Sequence, residues 1–197
     1  MKVRDAMLLA EKIRDVLIPF CEPERCAIAG SIRRARPEVN DVDLVVQPRG
    51  LEAAAALRAV LRKCPVVKEG PHYMVVRSKC GFPIDVWFAH GGTSDLLTSE
   101  PGNWGSLLLC RTGSKEHNIV LAQKARTMEM KWETSRGLVL NPDTARAKVI
   151  ASATEEEIFQ CLGMEFVPPA FREAQGLVPR RAEGGEEEKT DWGETFA

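Results

Sequence analysis

The order of apolar and polar residues in the first half of the chain predicts helices that alternate with short strands. Apolar side chains recur with helical spacing through residues 4–20, and residues 51–64 form a second helical stretch rich in Ala and Leu. Apolar runs too short for helices predict strands, each closed by Gly, Pro or a polar turn. These strands cover residues 26–30, 41–48, 66–68, 73–77 and 84–89.

The second half opens with a loop rich in Gly and Pro and then changes its order of elements. Two helical patterns come first, with Ser114 placed to cap the second of them. A hairpin follows, and then a helix that begins with a capping box from Thr154 to Glu157. In order, these elements cover residues 104–110, 115–128, 130–133, 137–140 and 154–161.

Together these elements predict an α+β fold in three parts. Residues 1–92 form a mixed β-sheet with helices on one face, and residues 93–174 form a small C-terminal α/β subdomain. Residues 175–197, rich in Gly and Glu, predict an acidic disordered tail. Residues 182–197 carry a net charge of −5, so the other 181 residues carry +4 and are mildly basic, which is compatible with a polyanionic partner.

Composition excludes several classes of protein. The 197 residues are 44% hydrophobic and 28% charged, as in ordinary globular proteins. No apolar run is long enough to cross a bilayer, and the charged N-terminus does not resemble a signal peptide, so we expect a soluble, cytoplasmic protein with no membrane contact. Six cysteines are present, but their spacing with the histidines does not suggest a zinc site.

Asp41 and Asp43 are the first candidates for chemistry. Residues two apart in a strand point to the same face, so both carboxylates project from the start of a strand that Leu44, Val45 and Val46 anchor in the core. Two neighbouring carboxylates repel each other unless a cation lies between them, and Mg²⁺ prefers such oxygen ligands. The pair alone also fits an alternative without a metal, in which Asp41 simply begins the strand and Asp43 is exposed to solvent.

Residues upstream of this pair favour a phosphate site. Gly30 and Ser31 close one strand and open a turn, where backbone N–H groups and a hydroxyl can hold a phosphate. Arg33, Arg34 and Arg36 follow, and the guanidinium group matches phosphate oxygens in shape and charge. The alternative for the arginines is a solvated basic loop.

Asp85 is a third candidate carboxylate, because it lies within an otherwise apolar strand. Burying a lone Asp is costly unless it is paired or bound to a metal, although it could also reach the surface or a backbone donor. Three carboxylates on neighbouring strands suit a two-metal site for phosphoryl transfer.

The segment from Gly30 to Val46, GSIRRARPEVNDVDLVV, resembles the GS…DxD signature of the family X DNA polymerases. The resemblance implies a nucleotidyltransferase palm. It places Gly30, Ser31 and Arg34 on the triphosphate. The predicted metal ligands are Asp41, Asp43 and Asp85, and Asn40 is included among the nucleotide-binding candidates.

The resemblance extends over about residues 3–174. Residues 110–118, CRTGSKEHN, are similar to the family segment that covers the sugar and base of the nucleotide, and residues 155–173 are similar to the family's C-terminal ending. This implies nucleotide contacts from Thr112, Gly113, Ser114 and Asn118, with possible substrate contacts from Arg111 and His117. Here Cys110 and Arg111 replace the family's aromatic pair, which puts sugar selectivity in question.

The resemblance implies a DNA polymerase that adds nucleotides to a primer 3′-hydroxyl, and we expect it to fill short gaps during DNA repair. Expected partners are nucleoside triphosphates, primer/template or gapped DNA, and two Mg²⁺ ions that Mn²⁺ could replace, in a monomer. The chain begins where the family's palm begins, so we expect no lyase activity and weak, salt-sensitive DNA binding. The candidate DNA contacts are Lys115, Lys124, Arg126 and Lys131.

Two rival functions stay open at this stage. A related nucleotidyltransferase could modify another acceptor, such as an RNA end, a small molecule or a protein. A non-catalytic nucleic-acid-binding module is the other alternative. An acceptor screen with labelled nucleotide distinguishes the first rival, and retained binding without incorporation would indicate the second.

Overall fold

The computed structural model describes residues 1–94 and 99–173. The predicted acidic tail lies outside the described residues. The confirmed class is α+β, with a mixed sheet followed by a smaller antiparallel sheet. Within the described ranges, no helix has the length and apolar character that crossing a membrane requires.

The first half of the chain forms the mixed sheet. The elements are α1 (Val3–Leu17), β1 (Cys21–Ile28), α2 (Gly30–Arg33), β2 (Val42–Pro48), α3 (Gly50–Leu61), β3 (Val66–Gly70), β4 (Tyr73–Arg77) and β5 (Pro83–Phe88). A 3₁₀ turn at Ile18–Phe20 joins α1 to β1. The five strands lie in the order β1-β2-β5-β4-β3; β2 and β5 run parallel, and the other neighbours run antiparallel.

Helices α1 and α3 cover one face of this sheet, as predicted. Leu44 and Val46 of β2 join their core, together with Ala6 and Ala10 of α1 and Leu57 of α3, all fully buried. Alternate residues of a strand point to opposite faces. Val45 therefore packs in a separate cluster on the other face of the sheet.

The second half supplies that other cluster and a core of its own. It contains a short strand pair, β6 (Thr93–Ser94) with β7 (Ser99–Glu100). It continues with α4 (Trp104–Thr112), α5 (Lys115–Thr127), β8 (Met130–Glu133), β9 (Gly137–Leu140), β10 (Lys148–Ala151), α6 (Glu155–Cys161) and a 3₁₀ turn at Pro169–Phe171. Helix α4 connects both cores, since Trp104, Leu107 and Leu108 pack with Val45 while Leu109 packs with the second sheet.

Two helix starts follow the predicted capping. The Ser114 hydroxyl accepts a hydrogen bond from the His117 N–H at 3.3 Å, which caps α5. Thr154 likewise accepts from the Glu157 N–H at 3.1 Å at the start of α6. The reciprocal bond of the predicted capping box goes one residue further back, because the Glu157 carboxylate accepts from the Ala153 N–H.

Candidate active site

The alternation of strand residues places two of the predicted carboxylates side by side. Asp43 of β2 is the register partner of Asp85 on the parallel strand β5. Both lie on the same face as Val45, which is the face opposite α1 and α3. Asp41 immediately precedes β2 and is close enough for its charge to act on both of the others.

This cluster holds more negative charge than its surroundings compensate. Burial and the charge of Asp41 raise the pKa of Asp43 to about 7, against weaker opposing effects that include a hydrogen bond from Trp87. Burial and the Asp41 charge also raise the pKa of Asp85. Crowded carboxylate oxygens of this kind are the ligands that a hard divalent cation such as Mg²⁺ takes.

The carboxylates suit a metal by their chemistry, but their side chains do not form a coordination sphere. In residues 1–94 and 99–173, no three His, Cys, Asp or Glu side chains are gathered closely enough to hold an ion. Asp43 is instead engaged by Trp87, whose indole Nε1 donates a hydrogen bond to its Oδ1 at 3.3 Å. Metal binding therefore requires the carboxylates to move toward one another.

Trp87 is a site residue that the sequence motifs did not identify. It stands two positions after Asp85, so the same alternation that aligns the carboxylates brings its ring to their face. The Arg111 guanidinium stacks on this ring, with 3.3 Å between Cζ and the ring centroid. Asp43, Trp87 and Arg111 thus form a continuous chain of contacts from β2 to the end of α4.

Gly30 lies against the Asp43 carboxylate, and Ser31 follows it in α2. Gly30 begins α2 with φ +59°, in the left-handed region. A Cβ placed there would lie 2.8 Å from Asp43 Cγ and 2.9 Å from Asp43 Cβ. The Ser31 hydroxyl is buried and has no hydrogen-bond partner among the residues described, so it can donate to a ligand.

Gly30→Ala is expected to disturb both folding and the site. The added methyl group collides with Asp43 and also forces Ala into a left-handed conformation, which together cost about 1–3 kcal/mol of stability. Urea denaturation of the variant checks the loss. Gly50→Ala is the matched control: Gly50 also has positive φ (+84°), but a Cβ there meets no atom within 4 Å. Equal losses in the two variants would show that contact with Asp43 is unimportant.

The three arginines after Ser31 are engaged by the C-terminal subdomain. Arg33 forms two hydrogen bonds with Glu155, at 2.8 and 2.7 Å, and a third with the Thr112 hydroxyl. Arg34 donates to Glu173 at 2.6 Å and to the Thr112 carbonyl oxygen. Arg36 also pairs with Glu173. The alternative of a solvated loop is therefore wrong for Arg33 and Arg34, and triphosphate binding by Arg34 stays a prediction that requires it to exchange partners.

An open cleft of about 430 Å³ lies beside the segment predicted to cover the nucleotide. Its lining includes Arg111, Gly113, Lys115, Asn118 and Trp132. Asn118 donates from Nδ2 to the Cys110 carbonyl oxygen at 2.9 Å, while its Oδ1 has no partner in the described residues.

The other predicted contacts differ in exposure. Asn40 is exposed, whereas Thr112, Gly113 and Ser114 are buried. The candidate DNA contacts Lys115, Lys124, Arg126 and Lys131 are all exposed.

His117, for which the resemblance implied a possible substrate contact, is buried in the structure. The residue is 5% exposed, and its ring packs on Phe159 with 5.7 Å between the ring centroids. Both ring nitrogens are buried without a hydrogen-bond partner among the described residues. Burial and the nearby Arg172 charge lower the pKa of His117 to about 4, so it is neutral at pH 7. Its position supports a core role.

Comparison with known proteins agrees with this geometry. Residues 107–173 match the family profile of the DNA polymerase beta thumb. DNA polymerase/3′-5′ exonuclease PolX of Bacillus subtilis (strain 168) is 27% identical over 169 residues, which cover 86% of this chain. The resemblance to family X DNA polymerases is confirmed.

Two crystal structures of Leishmania infantum polymerase beta share the fold. A ternary P/T complex aligns with a TM-score of 0.70 at 17% identity, covering 88% of this chain and 76% of that one. A ternary gap complex aligns with a TM-score of 0.68 at 16% identity, covering 88% and 70%. The chain spans only 28% of the length of the Bacillus PolX protein, so the activity of that whole protein does not transfer with the similarity.

Proposed function

We propose that the chain is a metal-dependent nucleotidyltransferase that adds nucleotides to a primer 3′-hydroxyl, as a family X-like DNA polymerase. The observation that supports it most strongly is the register pair Asp43–Asp85, with Asp41 beside it, on the sheet face away from α1 and α3. The two Leishmania relatives are described as ternary P/T and gap complexes, which supports primer/template or gapped DNA as the acceptor and short-gap repair as the setting.

Each site residue has a task in this proposal. Asp41, Asp43 and Asp85 would hold two Mg²⁺ ions, which activate the attacking hydroxyl and stabilise the charge on the triphosphate. Asp85 positions the primer 3′-hydroxyl. The unpartnered Ser31 hydroxyl donates to a phosphate oxygen.

The nucleotide is held from the other subdomain. Arg34 exchanges Glu173 for a second phosphate oxygen. Asn118 and the turn at residues 112–114 position the nucleotide above the cleft. The proposal also includes a cytoplasmic monomer in which Mn²⁺ can replace Mg²⁺.

Primer extension tests the proposal. The substrates are a one-nucleotide-gapped duplex and a single-stranded primer, each with single dNTPs and rNTPs, in Mg²⁺ and then in Mn²⁺. We expect template-matched addition on the gap, and the ratio of dNTP to rNTP use reports on the replacement of the aromatic pair by Cys110 and Arg111. If no nucleic-acid end is extended, the polymerase proposal fails and labelled nucleotide is screened against other acceptors.

Asp85→Asn is expected to lower the extension rate by at least about 100-fold, because a ligand that positions charge in phosphoryl transfer contributes several kcal/mol to the transition state. Single-turnover extension on the gapped duplex measures the rate. Asp143→Asn is the matched control, since Asp143 is an exposed carboxylate in the loop after β9. A folded Asp85→Asn protein with a rate near that of the wild type would remove Asp85 from the site.

A further inference from the structure

Arg111 is the cation that the fold places beside the carboxylate cluster. It lies in the last turn of α4, half-buried, with its Cζ 3.3 Å from the centroid of the Trp87 ring. Its Nε is buried and has no hydrogen-bond partner among the residues described. Stacking on the ring fixes the position of the guanidinium. Its N–H donors, which form no hydrogen bond with the described residues, can then bind an anion.

The ring that carries Arg111 also contacts the carboxylate cluster. Trp87 donates from Nε1 to Asp43 Oδ1, and Asp43 is paired in register with Asp85. Asp41 adds a third negative charge from the residue before β2. One indole ring therefore joins the Arg111 guanidinium to the Asp43 carboxylate, and this arrangement brings a positive charge next to the carboxylate cluster.

We propose that Arg111 is a built-in counter-cation that weakens the binding of a divalent cation alone and so couples metal binding to triphosphate binding. This inference rests on the proposed function. In the protein without metal, the guanidinium partly neutralises the carboxylates. A divalent cation that enters alone meets the like charge of Arg111 in a half-buried site, where solvent screens the repulsion less than in water.

A triphosphate reverses the sign of that interaction. Its oxygens bring several negative charges into the cleft that Arg111 lines together with Lys115 and Gly113. The unused guanidinium donors can then bond phosphate, and the repulsion toward the cation is offset. The triphosphate thus raises the affinity for the divalent cation. By thermodynamic linkage, the cation raises the affinity for the triphosphate by the same factor. The protein therefore takes up metal chiefly together with the nucleotide.

The test measures Mn²⁺ binding without catalysis, from the electron paramagnetic resonance signal of the free ion, at pH 8 and without nucleotide. We expect Arg111→Met to bind Mn²⁺ about tenfold more tightly than the wild type, because Met can still pack on the ring but carries no charge. Arg111→Lys keeps the charge and is expected to stay within about twofold of the wild type. Arg4→Met is the matched control, because it removes an exposed positive charge from α1, which packs on the sheet face opposite the carboxylates.

The same titration with a non-hydrolysable deoxynucleoside triphosphate analogue tests the coupling. We expect the advantage of Arg111→Met to disappear, so that wild type and variant bind Mn²⁺ within about twofold of each other. An advantage that persists unchanged with the analogue overturns the coupling. Equal Mn²⁺ affinity of wild type and Arg111→Met without nucleotide, or equal tightening in Arg111→Lys, overturns the counter-cation.

Asp43→Asn separates this inference from the proposed function. If the wild type binds Mn²⁺ at a site that Asp43→Asn removes, but Arg111→Met leaves the affinity unchanged, the counter-cation is wrong and the metal site stands. If no variant shows a site that depends on Asp43, the metal site fails and the counter-cation fails with it.

Discussion

Asp43→Asn is expected to make the metal-free protein more stable at pH 8 while it abolishes nucleotide transfer. Burial and the charge of Asp41 raise the pKa of Asp43 from 3.8 to about 7, so folding disfavours its ionised form. Asn is a neutral replacement of the same shape, and its Oδ1 can still accept the hydrogen bond from Trp87. At 1.36 kcal/mol per pKa unit, the gain at pH 8 is at most about 4 kcal/mol.

The free energy of unfolding depends on pH through the protonation of Asp43. The folded wild type binds a proton at Asp43 that the unfolded chain has already released between about pH 4 and 7. The free energy of unfolding of the wild type therefore falls as pH rises through this range, whereas Asp43→Asn lacks this contribution and its free energy of unfolding falls less. We expect the variant's advantage to be largest at pH 8 and to narrow as pH falls toward 4.

Urea denaturation in the presence of a chelator, at pH 4, 6 and 8, measures the difference. Asp143→Asn removes an exposed carboxylate and is expected to change stability by no more than about 0.5 kcal/mol. A constant difference between Asp43→Asn and wild type at all three pH values would show that Asp43 carries no unfavourable charge. Single-turnover extension by Asp43→Asn is expected to fall below about 1% of the wild-type rate, as for Asp85→Asn.

The strand pattern predicted that Asp43 and Asp85 each project from an apolar strand, because that information is local, whereas the pairing of the two strands is not. Asp43 and Asp85 each lie in an apolar strand, and alternation fixes the face of each. The helices and the hairpin of β8 and β9 were predicted for the same reason. Predicted boundaries differ mostly by one to three residues, as expected where helices fray and strands end in turns.

Elements with weak local signals were missed. Strand β1 begins at Cys21 rather than residue 26, and its first part is polar, contains Pro23 and is irregular at Glu24, where φ is +60°. Strand β10 (Lys148–Ala151) has only four residues, too few for a clear strand pattern in the sequence. It is held as a strand by its pairing with β9. In both strands the partner across the sheet determines the structure.

The contacts between the two halves of the chain could not be predicted from a single sequence. Arg33 pairs with Glu155 across 122 positions and Arg34 with Glu173 across 139. A charged residue in a polar loop has the same local pattern whether it faces water or a distant carboxylate. The burial of His117 was missed similarly, because Phe159 reaches it from another helix.

The second large effect is expected at Glu155. Its side chain is 4% exposed and holds Arg33 of α2, together with Arg172, whose side chain is completely buried. Burial alone would raise the pKa of Glu155, but hydrogen bonds from Arg33 and Arg172 outweigh it and hold the pKa below 4.5. Glu155 therefore joins the mixed sheet to the C-terminal ending through one ionised carboxylate.

Glu155→Gln is expected to lower the free energy of unfolding by about 3–5 kcal/mol, because it leaves the buried Arg172 charge without a counter-ion. Urea denaturation at pH 7 measures the loss. Glu156→Gln, the exposed neighbour on α6, is the matched control and is expected to change stability by no more than about 0.5 kcal/mol. The wild-type advantage should shrink as pH falls below 4.5, where the Glu155 carboxylate begins to be protonated in the unfolded chain.

A double variant distinguishes two causes of the stability loss in Glu155→Gln: the loss of a favourable ion pair, and the burial of an Arg172 charge without a counter-ion. Glu155→Gln combined with Arg172→Met removes the buried cation together with its partner, and Met can pack against Phe159 and Phe166, over which the Arg172 guanidinium now lies. Apolar replacement of a buried pair is often neutral, so we expect the double variant to recover at least half of the loss. A double variant no more stable than Glu155→Gln would mean that the pair itself, through Arg33 and its bond to Thr112, stabilises the junction of the two halves.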